Sequence, residues 1–431
     1  MVDRHKPFEN NSTAFFLYTY IVKRIHLIIS FAFLVSLIFF GLNSEKTREF
    51  FASFRNMTAS VFFVDSLTEN DLLAHYETAR TGKKPVKIII VPGHDDTLSG
   101  AVYRKRREAD MNMELGKKLA KFLSADSEFE VLLTRTDDGY NPVFWDYRER
   151  GADTLYDFVK SKKLDMQNLL SAGSVHQYEG VKHNKAPKDA ITTLYSINRW
   201  ANETMADIVI HIHFNDAAER KHEAPYDYSG FSIYIPEKQF SNARVSRALA
   251  KPIFDRLSKF YPVSDLPKEN SGLVESQDLI AIGAYNTLDS AGMLIEYSYI
   301  YEPQFEDGEV REKTITEMAW QTYLGLNDFF KTKKSKNLAG TIALESLNEQ
   351  FEKGSKNKSS VLDLQKALLL LNTYPPKNKS LRECPLTGNF GQCTETALNY
   401  FQSGENILGE EGLVGEKTLN ILHKKLELLH L

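Results

Sequence analysis

The stretch 86–95, VKIIIVPGHD, decides the fold prediction. Its apolar, largely β-branched side chains are typical of a buried strand, and the Pro92-Gly93 pair predicts a turn where that strand ends. The turn places His94 at the carboxyl end of a strand, the edge of an open α/β sheet where ligand sites form. Taken alone, His94 is better explained as an ordinary turn residue. Its significance depends on the rest of the chain.

Length, charge and cysteine content exclude several classes of protein. The 431 residues suffice for two or three domains with their own cores. The formal net charge of −4 gives no basic signature, so nucleic acid is not expected as a partner. Cys384 and Cys393 are too few for a cysteine-built zinc site. Their spacing allows a disulfide in an oxidising compartment, and two unpaired thiols in a small core fit equally well.

Residues 25–42, IHLIISFAFLVSLIFFGL, predict a membrane-spanning helix. These 18 residues carry no formal charge, and about this length crosses a bilayer. Lys23 and Arg24 precede the stretch, which favours a cytoplasmic tail over 1–24. No small-residue cleavage pattern follows, so we expect an uncleaved signal-anchor and a juxtamembrane segment over 43–84. Everything beyond the anchor would then lie outside the cytoplasm.

Residues 85–332 alternate strand and helix patterns, which indicates an α/β domain with an open, mostly parallel or mixed sheet flanked by helices. Strands are expected at 129–133, 206–213, 230–235 and 293–296, and helices at 108–123, 241–259 and 309–330. Residues 136–190 show no clean period and are interpreted as an insertion. Such a long insertion is either a functional lid or binding loop, or a tolerated surface segment.

A hydrophilic linker over 333–359 leads to a small domain of three helices over 360–428. Within it the pattern G-x-x-G-x-x-T occurs twice, as Gly388-Gly391-Thr394 and Gly412-Gly415-Thr418. The glycines allow tight turns, and each threonine is predicted to cap the helix that begins there.

Three residues on separate elements of the α/β domain form a candidate metal site. Glu108 opens a helix, and His213 ends a strand as His94 does. Two imidazoles and one carboxylate match the three protein ligands of a catalytic zinc site. Glu296 ends another strand at the same predicted edge. The chain contains no short metal motif, so this grouping rests on the predicted fold.

Several segments then occur in the order of a known family. The chain closely resembles the zinc-dependent N-acetylmuramoyl-L-alanine amidases of the amidase 3 type over nearly all of 86–331, through VPGH at 91–94, Glu108, Thr134-Arg135, ADIVIHIHFN at 206–215 and MLIEYSYI at 293–300. The resemblance implies that His94, Glu108 and His213 bind Zn²⁺ and that Glu296 is the catalytic acid.

The C-terminal segment carries a second resemblance. DLQKAL at 363–368, the two glycine-threonine patterns and Tyr400-Phe401-Gln402 resemble the three-helix peptidoglycan-binding domain. The two resemblances together imply an amidase anchored in the membrane, with its catalytic and wall-binding domains outside the cytoplasm and peptidoglycan as its substrate.

Some positions depart from the amidase pattern. Asp95 follows the first histidine where the family has glycine, and His211 stands where it commonly has serine. Asp95, His211 and Asn215 are candidates for supporting the metal ligands. We interpret Asp95 as solvated, and His211 as a packed or supporting residue rather than an extra ligand. Ser298-Tyr299 replaces the usual Gly-Phe, which bears on the fit of the substrate.

The resemblance leads to a hypothesis for the reaction. Water attacks the amide that joins muramic acid to L-alanine, and Glu296 takes the water proton and delivers it to the departing amine. The alternatives are a zinc peptidase that cuts elsewhere in the stem peptide and a catalytically inactive wall-binding scaffold or activator. A further hypothesis is that a side chain of the insertion reaches the open metal position until a protein activator displaces it. Its candidates are Asp146, Glu149, His176, Glu179 and His183.

Overall fold

A six-stranded mixed sheet organises the computed structural model, which describes residues 66–178, 186–221, 223–332 and 347–428. All of these residues belong to one compact unit, Ala59–Leu431. The strands are β1 (Val86–Pro92), β2 (Phe129–Leu133), β3 (Ile208–Asn215), β4 (Ser232–Pro236), β5 (Leu273–Ser276) and β6 (Ala291–Tyr299). Their order across the sheet is β2-β1-β3-β6-β4-β5.

Most neighbouring strands of this sheet are parallel. The pairs β1–β2, β1–β3, β3–β6 and β4–β5 are parallel, and β4 runs antiparallel to β6. Because parallel strands are covered on both faces, the central strands contain long apolar runs, as the stretch 86–95 does. The predicted α/β domain with a mixed sheet is confirmed.

Helices cover both faces of the sheet. The described helices are α1 (Glu69–Ala79), α2 (Glu108–Ser124), α3 (Pro142–Arg150), α4 (Ala152–Ser171), α5 (Lys188–Glu203), α6 (Ala243–Leu257), α7 (Gly308–Phe329), α8 (Lys358–Leu370), α9 (Gln392–Gly404) and α10 (Glu416–Leu428). One face packs Ile208, Ile210 and Ile212 against α2, α6 and α7. The other face packs Val209 and Ile89 against α3 and α5.

Strand register places the chemistry of the chain on the second face. Side chains alternate between the two faces of a strand, so His211, His213 and Asn215 share the face of Val209. In β6, Leu294 pairs with His211, and Glu296 pairs with His213. Both histidines of β3 and the candidate catalytic glutamate therefore occupy two adjacent rows of one sheet face.

The insertion is more regular than the sequence predicted. Residues 136–190 contain α3, α4 and the first turn of α5 in the described part. The apolar period of α4 is weak because the helix lies at the periphery and buries only Leu155 and Met166. The expectation of an irregular segment is wrong for this physical reason.

The membrane helix in the predicted fold is corrected. Within the part of the chain that the structure describes, no helix combines the length and the apolar character needed to cross a membrane. The predicted span 25–42 and the tail 1–24 lie outside the described residues. The described residues comprise the α/β domain and the C-terminal helices.

Two equivalent hydrogen-bonding units build the C-terminal helices. The amide of Gln365 accepts a bond from the Gly388 N–H (3.0 Å) and donates one to the Thr394 hydroxyl (2.9 Å). Gln402 accepts from the Gly412 N–H at 3.0 Å, and the Thr418 hydroxyl lies 2.9 Å from its amide nitrogen. Gly391 occupies the N-cap of α9, and no side chain in the described part of the chain caps this helix. The capping prediction is therefore wrong for Thr394, which is buried as an acceptor for Gln365.

The two cysteines form a disulfide, Cys384–Cys393. Cys384 lies in the connection between α8 and α9, and Cys393 lies in the first turn of α9. The bond resolves the alternative that the sequence left open in favour of the paired form.

Candidate metal centre

His94 lies two residues beyond the end of β1 in a left-handed backbone conformation, with φ of 62°. The turn that Pro92-Gly93 predicted thus points its imidazole across the sheet edge. Nε2 of His94 lies 3.2 Å from Oε2 of Glu108, and about a third of the side chain is exposed. Burial favours the neutral ring, but the Glu108 carboxylate outweighs it and raises the pKa of His94.

Glu108 is the first residue of α2, as the sequence predicted, and it is the centre of the cluster. Its Oε1 lies 2.9 Å from Nδ1 of His213, and its Oε2 accepts a bond from the Ala101 N–H at 2.9 Å. Although burial opposes the charged form, the bonds to His213 and His94 hold the pKa of Glu108 well below its usual range. The carboxylate is therefore anionic and fixed in place.

Two glycines leave room for this cluster. A Cβ on Gly93 would overlap the His213 ring, and one on Gly100 would overlap both Glu108 and the His94 ring. Gly100 also has φ of +69°, a conformation that glycine adopts without strain. The backbone thus approaches the side chains as closely as a site built around a small ion requires.

The three side chains have the donor set of a metal site. One ligand atom from each of His94, Glu108 and His213 lies within 4.8 Å of the others. The two rings are 5.0 Å apart and nearly perpendicular, which leaves space between their edges. Two neutral imidazoles and one carboxylate suit a borderline transition metal with an open coordination position. The residues therefore fit a divalent metal ion.

Glu296 lies on β6 beside His213 and has a contrasting environment. The residue is partly exposed, but its Oε2 is shielded from solvent and has no hydrogen-bond partner in the described residues. Burial, followed by the charges of Glu108 and Glu269, raises the pKa of Glu296 well above its usual value. A carboxyl group in this setting readily takes up a proton.

A cavity of about 720 Å³ opens over the cluster and Glu296. Its inner part is apolar, lined by side chains of β1, α5, β6 and the segment 279–281. These are Val91, Leu194, Ile197, Leu279, Ile280 and Leu294. The reactive groups therefore sit at one side of a largely hydrophobic pocket, the usual form of a small-molecule or peptide site.

The three candidate supporting residues occupy different places. Asp95 accepts bonds from the Thr97 and Leu98 N–H groups (both 2.8 Å) and from the Tyr140 hydroxyl (2.9 Å). Its carboxylate therefore stabilises a turn rather than orienting a metal ligand. It is held by the protein rather than solvated. Asn215 donates to Glu269 at 3.0 Å.

His211 is fully buried in the cavity wall, and neither ring nitrogen has a hydrogen-bond partner among the described residues. Burial, and then the neighbouring His213, lower the pKa of His211 to about 3. The ring is therefore neutral, and it does not belong to the group of three side chains whose ligand atoms converge.

The acidic and histidine candidates of the insertion stay away from the cluster. Asp146 pairs with Arg150, Glu149 pairs with Arg148, and the backbone N–H of His176 donates to Gln239. None of these three lines the cavity. Glu179 and His183 lie outside the described residues.

Two residues that support the cluster were missed as candidates. Asn112 donates to the Gly93 carbonyl at 2.9 Å and lies 3.4 Å from Oε1 of Glu108. The buried Arg135 donates to the His94 carbonyl at 2.5 Å. Asn112 follows Glu108 by four residues on α2, so the i,i+4 spacing was an available signal. Arg135 was part of the family pattern but carried no prediction of a role.

Comparison with known proteins identifies the α/β domain. The sequence profile of a family described as N-acetylmuramoyl-L-alanine amidase matches residues 88–328, which is more than half of the chain. The profile spans the three cluster residues and Glu296 and leaves the C-terminal helices outside. No curated protein sequence matches the chain significantly.

The solved structures to which this chain is similar are distant in sequence. An N-acetylmuramoyl-L-alanine amidase from Clostridium difficile 630 is 18% identical and covers 58% of this chain and 98% of its own, with a TM-score of 0.36. The CwlD amidase of Clostridioides difficile, in complex with the GerS lipoprotein, is 19% identical and covers 57% and 98%, with a TM-score of 0.37. Ami1 of Mycobacterium smegmatis is 14% identical and covers 57% and 99%, with a TM-score of 0.36.

Proposed function

Because the chain belongs to the N-acetylmuramoyl-L-alanine amidase family, it is a peptidoglycan amidase, and we propose that it works with zinc held by His94, Glu108 and His213. The observation that supports this ligand set is the convergence of three donor atoms within 4.8 Å at a cavity edge. Zinc is favoured over Mg²⁺ or Ca²⁺ because imidazole ligands suit it, whereas those two ions prefer oxygen ligands alone.

The division of roles within the site follows from the surroundings of each group. A bound zinc ion would supply the Lewis acidity that activates water and polarises the amide carbonyl. Glu296, whose Oε2 has no hydrogen-bond partner among the described residues, takes the proton of the attacking water and returns it to the leaving amine of L-alanine. Asn112 and Arg135 hold the turn that carries His94.

The test uses the zinc-loaded protein and purified peptidoglycan, with released species identified by mass spectrometry. We expect free stem peptides that begin with an L-alanine amine, and none with Glu296→Ala. Glu130→Ala is the matched control, because Glu130 lies on β2 of the same sheet and its ion pair within the described residues is with Lys87. Cleavage inside the stem peptide would instead indicate a peptidase, and no release at all would favour an inactive scaffold.

We further propose that the C-terminal helices bind the cell wall and that the described domains act outside the cytoplasm. The disulfide supports the second statement, since such bonds persist in oxidising compartments. Tyr400 and Leu408, both more than 60% exposed, are candidate contacts for the wall polymer. Tyr400→Ala should weaken cosedimentation with peptidoglycan sacculi and leave turnover of a soluble muramoyl peptide unchanged. Equal cosedimentation would contradict this assignment.

The insertion offers a surface for a protein partner. A groove of about 710 Å³ between α4 and α5 has an apolar floor and a basic rim. Tyr156 and Leu164 are exposed there, and no acidic side chain of the described residues lines the groove. We propose that an acidic amphipathic helix of an activator protein binds this groove, because Lys160, Lys163 and Lys188 form no ion pair with a described residue. The opposite face of α5 lines the active-site cavity, so a partner here contacts one wall of the site.

A synthetic acidic amphipathic peptide tests the groove. We expect binding by calorimetry and a change in turnover, both lost in Lys160→Glu/Lys163→Glu. Lys117→Glu on α2 serves as the control, because Lys117 lies outside the groove. Binding that persists after charge reversal would contradict the proposal.

A further inference from the structure

The C-terminal helices are fixed to α7 by charged contacts that are shielded from solvent. Lys366 on α8 pairs with Glu317 on α7 at 2.9 Å, and both side chains are essentially inaccessible. Lys313 pairs with the fully buried Asp363 at 2.6 Å. Breaking such a pair leaves a buried charge without compensation, which is strongly unfavourable. The C-terminal domain is therefore seated on the catalytic domain in one arrangement.

Arg382, in the connection between α8 and α9, contacts two loop segments of the catalytic domain. Its guanidinium donates to the Ser229 hydroxyl at 2.9 Å and to the Val263 carbonyl, and it forms an ion pair with Asp265. Asp265 also accepts a bond from the Ser229 N–H at 2.8 Å. Arg382 thus links Ser229, just before β4, to residues 263–265 in the connection between α6 and β5.

The segment 263–265 also contacts a buried carboxylate, that of Glu269. The Ser264 hydroxyl donates to it at 2.7 Å, Tyr234 at 2.5 Å and Asn215 at 3.0 Å, and the Tyr299 hydroxyl lies 3.4 Å away. Glu269 is 1% exposed, so these contacts determine where it lies. Through Ser264, the loop that Arg382 holds is part of this network.

The Glu269 network spans the row of the sheet that holds Glu296. Tyr234 of β4 pairs with Leu294, which precedes Glu296 by two residues on β6. His213 of β3 pairs with Glu296, and Asn215 follows His213 by two residues on the same strand. Since these side chains share one face of the sheet, a carboxylate bonded to both Tyr234 and Asn215 lies over the Glu296 row. The effect of the Glu269 charge on the pKa of Glu296 agrees with this placement.

We propose that Arg382 is a positioning residue for the active site: it holds the 263–265 loop, and thereby the Glu269 network that lies over the sheet row of Glu296. The C-terminal domain then contributes to turnover itself, beyond any binding to the wall. This inference rests on the proposed role of Glu296 in the amidase reaction.

The first test compares full-length variants on a soluble N-acetylmuramoyl peptide, which removes any contribution from wall binding. We expect Arg382→Ala to lower kcat by about threefold to twentyfold, the range found for changes along contiguous side-chain networks. KM, zinc content and Tm should stay as in the wild type. Arg382→Lys should recover part of the loss, since an ammonium replaces one of the contacts of the guanidinium fork. Lys379→Ala, which loses only an exposed pair with Glu383, is the control.

The second test places Arg382 and Ser264 on one path. Ser264→Ala should also lower kcat, and the double variant should lose less than the product of the two single losses. The inference is overturned if the wild type is active and Arg382→Ala has the same kcat, or if the two single losses multiply fully in the double variant. In either case the amidase assignment still stands. A wild type that is inactive on the soluble peptide overturns both.

Discussion

Glu108 and Glu296 face the same cavity with opposite surroundings. Glu108 contacts two imidazoles and accepts a bond from the Ala101 N–H, so both of its carboxylate oxygens have polar partners. The shielded Oε2 of Glu296 has no partner in the described residues, although its strand neighbour is His213. The same side chain type is thus held ionised in one place and pushed towards protonation in the other.

This difference supports the proposed division of roles between the two glutamates. A carboxyl group that binds a metal must be ionised at neutral pH, and hydrogen bonds to the charged form achieve that for Glu108. A proton carrier needs a pKa near the working pH, and burial beside other carboxylates moves Glu296 in that direction. If the two glutamates divide metal binding and proton transfer, substitutions at each should separate the two functions.

The largest effect is expected for Glu108→Gln. The amide keeps the shape but removes the charge that binds the ion and pairs with both histidines, so zinc affinity should fall by at least about 100-fold. Turnover should become undetectable. Zinc content after dialysis and release of stem peptides measure both, with Glu130→Gln as the control. A variant that keeps zinc would contradict the ligand role.

Glu296→Gln should remove proton transfer while keeping the shape of the site. We expect turnover to fall by about 10²–10⁴-fold, the usual contribution of a general acid or base. Single-turnover assays on a soluble muramoyl peptide measure the chemical step directly. A loss below tenfold would show that another group moves the proton.

Gly93→Ala tests the close packing on the Glu108 side without touching a ligand. The added Cβ overlaps the His213 ring, so we expect zinc affinity to fall by about tenfold to 100-fold, as for disturbed ligand orientation. Gly404→Ala, whose Cβ meets nothing within 4 Å, should leave the affinity unchanged. Competition with a chelating dye measures both variants, and equal affinities would contradict the packing argument.

Asn112→Ala should give the smallest of these effects. It removes the bond to the Gly93 carbonyl and the contact with Glu108 while the ligands remain, so we expect zinc affinity to fall by about threefold to tenfold. The exposed Asn399→Ala on α9 is the control. An unchanged affinity for Asn112→Ala would mean that the turn is held by Arg135 alone.

The side of the site around Glu108 was largely predictable from the sequence. The apolar run of β1, the turn at Pro92-Gly93 and the start of α2 at Glu108 are local signals, and the structure has all three. His213 near the end of β3 follows from a strand pattern in the same way. Local patterns succeed here because each side chain is positioned by the element that carries it.

The side around Glu296 depends on tertiary contacts that no local pattern encodes. Glu269 lies in the connection between α6 and β5, and it is contacted by Asn215, Tyr234 and Tyr299 from three strands far apart in sequence. Arg382 comes from another domain. Helix α4 was missed for a related reason, since an exposed helix has little apolar periodicity to detect.

The most direct test of the division between the two glutamates is the zinc affinity of Glu296→Gln, measured by calorimetry beside the wild type. If Glu296 moves protons and does not bind the ion, the two dissociation constants should agree within about threefold while turnover of the variant is lost. A fall in zinc affinity comparable to that of Glu108→Gln would make Glu296 a ligand and contradict the assignment of roles.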